Sequence, residues 1–213
     1  MLALGSTVPV SGQAGNFSFF VTSRGIGNGA NLGGLRGADQ HCQSLAYALG
    51  SVFNWRAYLS AVAVDGQPAV NARDRIGPGP WHNFRGELIA RDVTELHSDA
   101  ANLTKESILT EMGRTSNGRG DTPNQHDILT GSNPDGTVYT GEGTTACGNW
   151  RSNAEGSARV GHHDRQGGGD NPTSWNSAHD SRGCSQEDLV GTGGNGYFYC
   201  FAMDAAQQEE EDE

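Results

Sequence analysis

The sequence predicts an α+β domain with a small sheet, one main helix near the N-terminus, and long irregular loops. Three observations carry that expectation. Residues 17–22 (FSFFVT) and 197–202 (YFYCFA) are short aromatic and β-branched runs at opposite ends of the chain, each with the composition of a strand. Between them lies one marked stretch of helical periodicity, so the order is strand, helix, strand, long loops, closing strand, and not alternating βαβ. Glycine contributes 32 of 213 residues beside 34% hydrophobic residues, too apolar for a disordered chain and too Gly-rich for a helix bundle.

After the first strand, the Gly-rich residues 25–34 form a loop. A helix starts near Gly37, with Ala38, Cys42, Leu45, Ala46 and Leu49 on one face. Asp39 falls in its first turn, where the positive end of the dipole favours an anion, and Gly50 is placed to stop it. Residues 55–62 (WRAYLSAV) alternate Trp55, Ala57 and Leu59 against Arg56, Tyr58 and Ser60, which is strand periodicity. An apolar segment follows at 88–90, then a short helix at 102–109 capped by Asn102, with Glu106 in its first turns. Residues 115–196 are mostly Gly, Asn, Asp, Ser and Pro, broken by Ile128, Leu129, Trp150 and Trp175. So long a stretch without regular structure is expected to carry the function. The closing strand, bearing Cys200, should lie centrally in the sheet.

The formal charge is −11, from 14 basic and 25 acidic residues, and the last five residues, Glu209 to Glu213, carry −5 of it. That balance excludes nucleic acid, whose binding needs basic patches to replace phosphate counterions. It also excludes an anionic membrane surface, and no apolar run has the length of a membrane span. The organisation is therefore an N-terminal extension or signal-peptide remnant at 1–15, one domain at 16–204, and an acidic tail at 205–213. Gly12, Gln13 and Ala14 place small residues where a signal peptidase would cut.

Cys42, Cys147, Cys184 and Cys200 contain no CxxC pair, which argues against a zinc knuckle or a thioredoxin-type site. An even count in a loop-rich acidic chain favours two disulfides in an oxidising compartment. The spacing leaves all three connectivities open.

The segment Gly34-Leu35-Arg36-Gly37-Ala38-Asp39-Gln40-His41-Cys42, followed by Trp55-Arg56-Ala57-Tyr58-Leu59-Ser60, resembles the start of the endostatin domain of collagens. Gly131-Ser132-Asn133-Pro134-Asp135-Gly136 and Cys147-Gly148-Asn149-Trp150-Arg151 resemble later segments of that domain, and residues 17–42 also resemble secreted bacterial proteins of the leptospiral endostatin-like type. The resemblance covers most of residues 17–203 and implies the wider C-type-lectin-like fold. It further implies a small twisted antiparallel sheet and the pairings Cys42–Cys200 and Cys147–Cys184. In sugar-binding members of that fold, an amide-or-acid–Pro–acid-or-amide triplet and a later Trp-Asn-Asp motif hold calcium and sugar hydroxyls. Asn133-Pro134-Asp135 and Trp175-Asn176-Ser177 stand at the matching places, with Ser177 where a carboxylate would add an anionic ligand. Calcium takes six to eight oxygen ligands. The implied metal set is Asn133, Asp135 and Asn176, and Asp164, Asp170 or Asp180 are the candidates to supply the missing charge. Trp150 and Trp175 are the candidate sugar-stacking rings.

Gly161-His162-His163-Asp164-Arg165, with His126-Asp127 and His179-Asp180, concentrates imidazole beside carboxylate, the chemistry of a transition-metal site or an oriented base. Arg119-Gly120-Asp121 spells an integrin-recognition tripeptide in a turn-rich loop, where a tight turn is the simpler account. Two Gly patterns, at 25–30 and 191–196, lack the strand–turn–helix context of a nucleotide site. No nucleophile with a convincing base appears, so the chain is expected not to be an enzyme. The expectation is a secreted, periplasmic or cell-surface bacterial lectin or adhesin that binds carbohydrate through its loops, with calcium as the candidate cofactor. One alternative is an adhesin for host matrix or complement proteins without sugar binding. A second is a metal-dependent hydrolase using His162, His163 and Asp164.

Overall fold

The computed structural model describes residues 17–64, 66–141 and 146–205, so the extension at 1–15 and the acidic run at 206–213 lie outside the described residues. The elements run β1 (Phe19–Val21), α1 (Gly34–Tyr47), β2 (Trp55–Ala57), a 3₁₀ turn (Ala72–Asp74), β3 (Trp81–His82), β4 (Leu88–Ala90), α2 (Val93–Leu96), β5 (Asp127–Leu129), α3 (Ala146–Trp150), β6 (Arg159–His162), β7 (His179–Asp180), α4 (Gln186–Thr192) and β8 (Gly194–Ala202). The fold is mixed α+β, with small sheets and two disulfides. Among the described residues no helix is long and apolar enough to cross a membrane.

Strand β8 organises the molecule. It pairs antiparallel with β1 (Phe20 opposite Cys200) and with β2 (Ala57 opposite Cys200), and parallel with β5 (Ile128 opposite Tyr197). The main sheet continues from β5 through β6 to β7, while β3 and β4 form a separate pair. The expected sheet was antiparallel; it is mixed, because the chain returns from β7 through α4 before entering β8 alongside β5. Successive side chains of a strand leave opposite faces. Phe198, Cys200 and Ala202 therefore join one core with Phe20, Cys42, Trp55 and Trp150. Tyr199 and Phe201 join a second core with Phe19, Tyr58, Trp81 and Trp175. Both faces being covered, β8 reads as a continuous apolar run instead of an alternating one.

The helix begins at Gly34, earlier than Gly37, because Gly33 (φ 78°) and Gly34 (φ 75°) turn the chain through the left-handed region that glycine tolerates. Asp39 consequently lies beyond the first turn, and the dipole contact expected of it is replaced by a stronger one. Its carboxylate accepts the Ala57 N–H at 3.0 Å and both oxygens meet Arg75 Nη2, at 2.9 and 2.7 Å. Arg75 also donates to the Ala57 carbonyl, fastening α1, β2 and the 3₁₀ turn together. Cys42–Cys200 pins α1 to β8, and Cys147–Cys184 joins α3 to the approach to α4, the pairings that the resemblance implied.

Two expected elements differ. Residues 102–109 are not a helix: Thr104 and Ser107 close a turn by mutual side-chain-to-backbone bonds, the competition that keeps Ser and Thr out of helix interiors. The strand expected over 55–62 ends at Ala57, after which Tyr58 N–H still bonds the Tyr199 carbonyl but Ser60 N–H crosses to the Thr130 carbonyl.

Candidate functional site

The turn at Asn133–Asp135 is closed locally: Asn133 Nδ2 donates to Thr137 Oγ1 and the Val138 carbonyl, and Asp135 Oδ1 accepts from Thr137 N–H and hydroxyl. Those bonds hold the exposed Asp135 carboxyl below its ordinary pKa. The loop carrying Trp175 and Asn176 is fastened to this turn from inside. Asn176 is fully buried, and its Nδ2 lies 2.9 Å from Tyr58 Oη and 3.1 and 3.2 Å from the carbonyls of Asn133 and Pro134. Its Oδ1 accepts from Ser174. Tyr58 in turn hydrogen-bonds His97 Nε2 at 2.8 Å, and His97 Nδ1 lies 2.7 Å from the Val93 carbonyl. A carbonyl only accepts, so Nδ1 carries the proton and Nε2 receives the Tyr58 hydroxyl. Burial lowers the His97 pKa and raises that of Tyr58, which keeps the chain of bonds neutral. Between the turn and the loop opens a cleft of about 440 Å³, lined among others by His97, Asp99, Pro134, Arg165, Asn171 and Asn176.

A second constellation lies at the end of the main sheet where β5, β6 and β7 run side by side. Asp127 and His162 are register partners, and His126 immediately precedes Asp127. The Nε2 atoms of His126, His162 and His179 lie 3.3, 3.3 and 3.6 Å from Asp127 Oδ1. The Nε2 atoms of His162 and His179 are 2.9 Å apart. His126, Asp127 and His162 are buried, and the Asp127 side chain is only 2% exposed. Burial alone would raise the Asp127 pKa, but His162 and His179 hold it below the ordinary value, and Asp127 raises His179 in return. Outside this group stand Asp164, 3.1 Å from His126 Nδ1, and the carbonyls of Pro172 and Asp180, at 2.8 and 3.1 Å from Nδ1 of His162 and His179.

The residues expected to bind are only partly brought together. Pro134 and Asn176 line the cleft, while Asn133 and Asp135 flank Pro134 in a turn closed by their own bonds to Thr137 and Val138. Asp164 sits instead with His126 and the Arg119 N–H, and Asp170 and Asp180 with Arg159. The residues named as a calcium shell are thus divided among separate networks. Trp150 is fully buried and donates from Nε1 to the Ser60 carbonyl at 2.7 Å, so no ring face is open for stacking. Trp175 is 5% exposed, packed among Tyr58, His97 and Tyr199, and supports the cleft from below. The hydrolase set does not assemble either: His163 turns its Nε2 to the Asn117 carbonyl at 3.0 Å, while Asp164 stands behind His126. The structure selects His126, Asp127, His162 and His179 instead. The sequence signal for them was the three His-Asp neighbours in the loops, which could not say which imidazoles converge. Asp121 of the Arg-Gly-Asp turn is paired with Lys105 at 2.6 Å and accepts the Gly118 N–H.

No protein-family model and no curated protein matches the chain.

Proposed function

We propose that the chain is a bacterial extracellular binding domain of C-type-lectin-like, endostatin-like type, which takes a carbohydrate in the cleft between the Pro134 turn and the 170–176 loop. The observation that carries this reading is the Asn176 bridge. It joins the two segments in which the sugar-site motifs of such folds stand, and makes them opposite walls of one cleft. The cleft is polar, with Asp99, Arg165 and Asn171 at its sides, the mixture of donors and acceptors that hydroxyl groups require. Two disulfides, a β8 flanked by both N-terminal strands, and the long loops after residue 110 fit the fold proposed, and the disulfides fit an oxidising compartment.

Binding is proposed to be calcium-independent, because Asn133 and Asp135 sit in a turn closed on Thr137 and Val138, Asn176 is buried against Ser174 and the carbonyls of that turn, and Asp164 and Asp180 belong to other networks. The domain is proposed to bind without turnover. The test is a broad glycan array probed with the disulfide-intact protein in calcium-free buffer, then with calcium restored, alongside Arg165→Ala and Asp99→Ala. Selective binding without calcium, lost in the cleft variants, is the expected result. Binding that appears only on adding calcium would overturn the calcium-free reading. Silence on every glycan by folded protein overturns carbohydrate recognition and points to a protein partner.

A further inference from the structure

The geometry points to a structural zinc site formed by His126, Asp127, His162 and His179, a metal staple across β5, β6 and β7 independent of the two disulfides. His162 Nδ1 faces the Pro172 carbonyl and His179 Nδ1 faces the Asp180 carbonyl. Both partners only accept, so both Nδ1 atoms carry hydrogen and each neutral ring presents its Nε2 lone pair. Those two lone pairs meet at 2.9 Å, beside a carboxylate whose two buried oxygens have no aligned hydrogen-bond donor among the described residues. His126 does the same with an anion behind it: Nδ1 on Asp164, Nε2 toward Asp127. Three lone pairs and a negative charge converging in a buried place repel one another unless a cation is shared among them.

A proton is too small a remedy. Placed on one Nε2, it lies along a single line, toward either the other imidazole or Asp127, and leaves the remaining donors opposed. A tetrahedral ion serves all four. Zinc bonds of about 2.0–2.2 Å to imidazole and carboxylate imply ligand-to-ligand edges of roughly 3.3–3.5 Å. The three Nε2–Oδ1 separations, 3.3, 3.3 and 3.6 Å, match that edge, and the ligand atoms of His126, Asp127 and His162 already gather within 4.8 Å of one another. The 2.9 Å between His162 and His179 is shorter than an edge and must open on the ion. The His126 and His162 rings are stacked at 4.3 Å with 7° between planes, so closure on the ion requires one of them, the His126 ring, to tilt. A carboxylate or carbonyl stands on every distal ring nitrogen, the arrangement that orients metal-binding histidines. Three imidazoles and one carboxylate form the nitrogen-rich borderline donor set that suits zinc, where calcium demands oxygen. With four protein donors there is no open position, so the ion's role is structural and not hydrolytic.

The test uses the full chain with its disulfides intact, stripped by chelator, dialysed, and titrated with Zn²⁺ and separately with Co²⁺. Expected are one ion per chain by elemental analysis, the visible bands of tetrahedral cobalt, and a Tm rise of about 5–10 °C when zinc is a hundredfold above its Kd. His179→Gln, the least buried ligand, and the isosteric Asp127→Asn should each lose the cobalt bands, while His41→Gln on α1 keeps them. Near-UV circular dichroism establishes that each variant is folded before titration; if one is not, the other decides. Folded wild type that binds neither ion overturns the site, as does cobalt binding unchanged in a folded ligand variant. None of these readouts depends on a glycan, so the zinc site and the lectin reading fail separately.

Discussion

Replacing Asn176 by Leu keeps the branched four-atom skeleton of the side chain and deletes its polar atoms, which removes the hydrogen bonds that join the two cleft walls. Four contacts are lost: to Tyr58, to the carbonyls of Asn133 and Pro134, and from Ser174. At a net value of about 0.5–1.5 kcal/mol each they sum to roughly 2–6 kcal/mol. Part is recovered, since the Asn133 carbonyl keeps the Gly136 N–H and water in the cleft can reach the Pro134 carbonyl. The expected loss is about 2–3 kcal/mol, or a Tm lower by about 4–12 °C for a domain of this size. Urea unfolding followed by circular dichroism and tryptophan fluorescence measures it, with an unchanged m-value showing that the native state remains compact. Because the walls separate, affinity for any cleft ligand should fall more than tenfold. Asp135→Asn, on the exposed outer side of the same turn, should stay within about 0.5 kcal/mol of wild type. An Asn176→Leu protein as stable as wild type would refute the bridge and, with it, the observation on which the binding reading stands.

Other parts of the fold make separate predictions. The disulfides close sequence separations of 158 and 37 residues, so loop entropy ranks Cys42–Cys200 above Cys147–Cys184, at about 5 against about 4 kcal/mol. Urea midpoints of the two paired Cys→Ala variants check that order, and a reversed order contradicts it. Asp39→Ala leaves a largely buried Arg75 guanidinium without its anion and should cost about 2–4 kcal/mol, while the double change with Arg75→Met should recover part of it. Burial lowers the His97 pKa, so near pH 6 the folded chain binds fewer protons than the unfolded one. Its contribution to stability is complete above the unfolded value of about 6.5 and is lost as pH falls through the folded value. His97→Gln should therefore flatten the decline in urea midpoint on the acid side of about pH 6.5, and an unchanged slope would show that His97 is not the group responsible.

The elements legible in the sequence are those whose pattern is local. Phe19, Phe20 and Val21 announced β1, the Ala38-Cys42-Leu45-Ala46 face announced α1, and the aromatic run around Cys200 announced a central strand. Strands of two to four residues, such as β6 and β7, are shorter than the period that would reveal them, and in the chain they read as loop. The same limit applies to the sites. His162, His163 and Asp164 are adjacent in sequence, which suggested a shared role, but β6 ends at His162 and the chain turns there, with the Arg165 N–H on the His162 carbonyl. His162 accordingly turns to Asp127 and His163 to Asn117. Trp150 and Trp175 drew attention as large apolar residues among polar ones; that contrast marks core anchors of an irregular region as readily as binding rings. Nothing local to Asn176 says that its amide will cross to a turn more than forty residues away in sequence.

A region so poor in ladders has to satisfy its backbone in another way, and side-chain amides supply it. Asn149 accepts the Val62 N–H and returns its own N–H to the Val62 carbonyl, so it stands in for a strand partner. Asn83 accepts from the N–H groups of Arg85 and Glu87 and donates to the Ser107 carbonyl. Asn176 belongs to this set, with the difference that its contacts border a cleft. Each such clamp is specific to one residue and cannot slide, unlike a ladder, whose register can shift. Conformational freedom is thereby removed from the loops before a ligand arrives, which lowers the ordering cost of binding. The proposed zinc would extend the same principle to the 163–178 loop, since His162 holds the Pro172 carbonyl and Pro172 lines the cleft. The abundance of Asn, Ser and Gly that makes this region look unstructured in sequence is then the means by which it keeps one shape without strands.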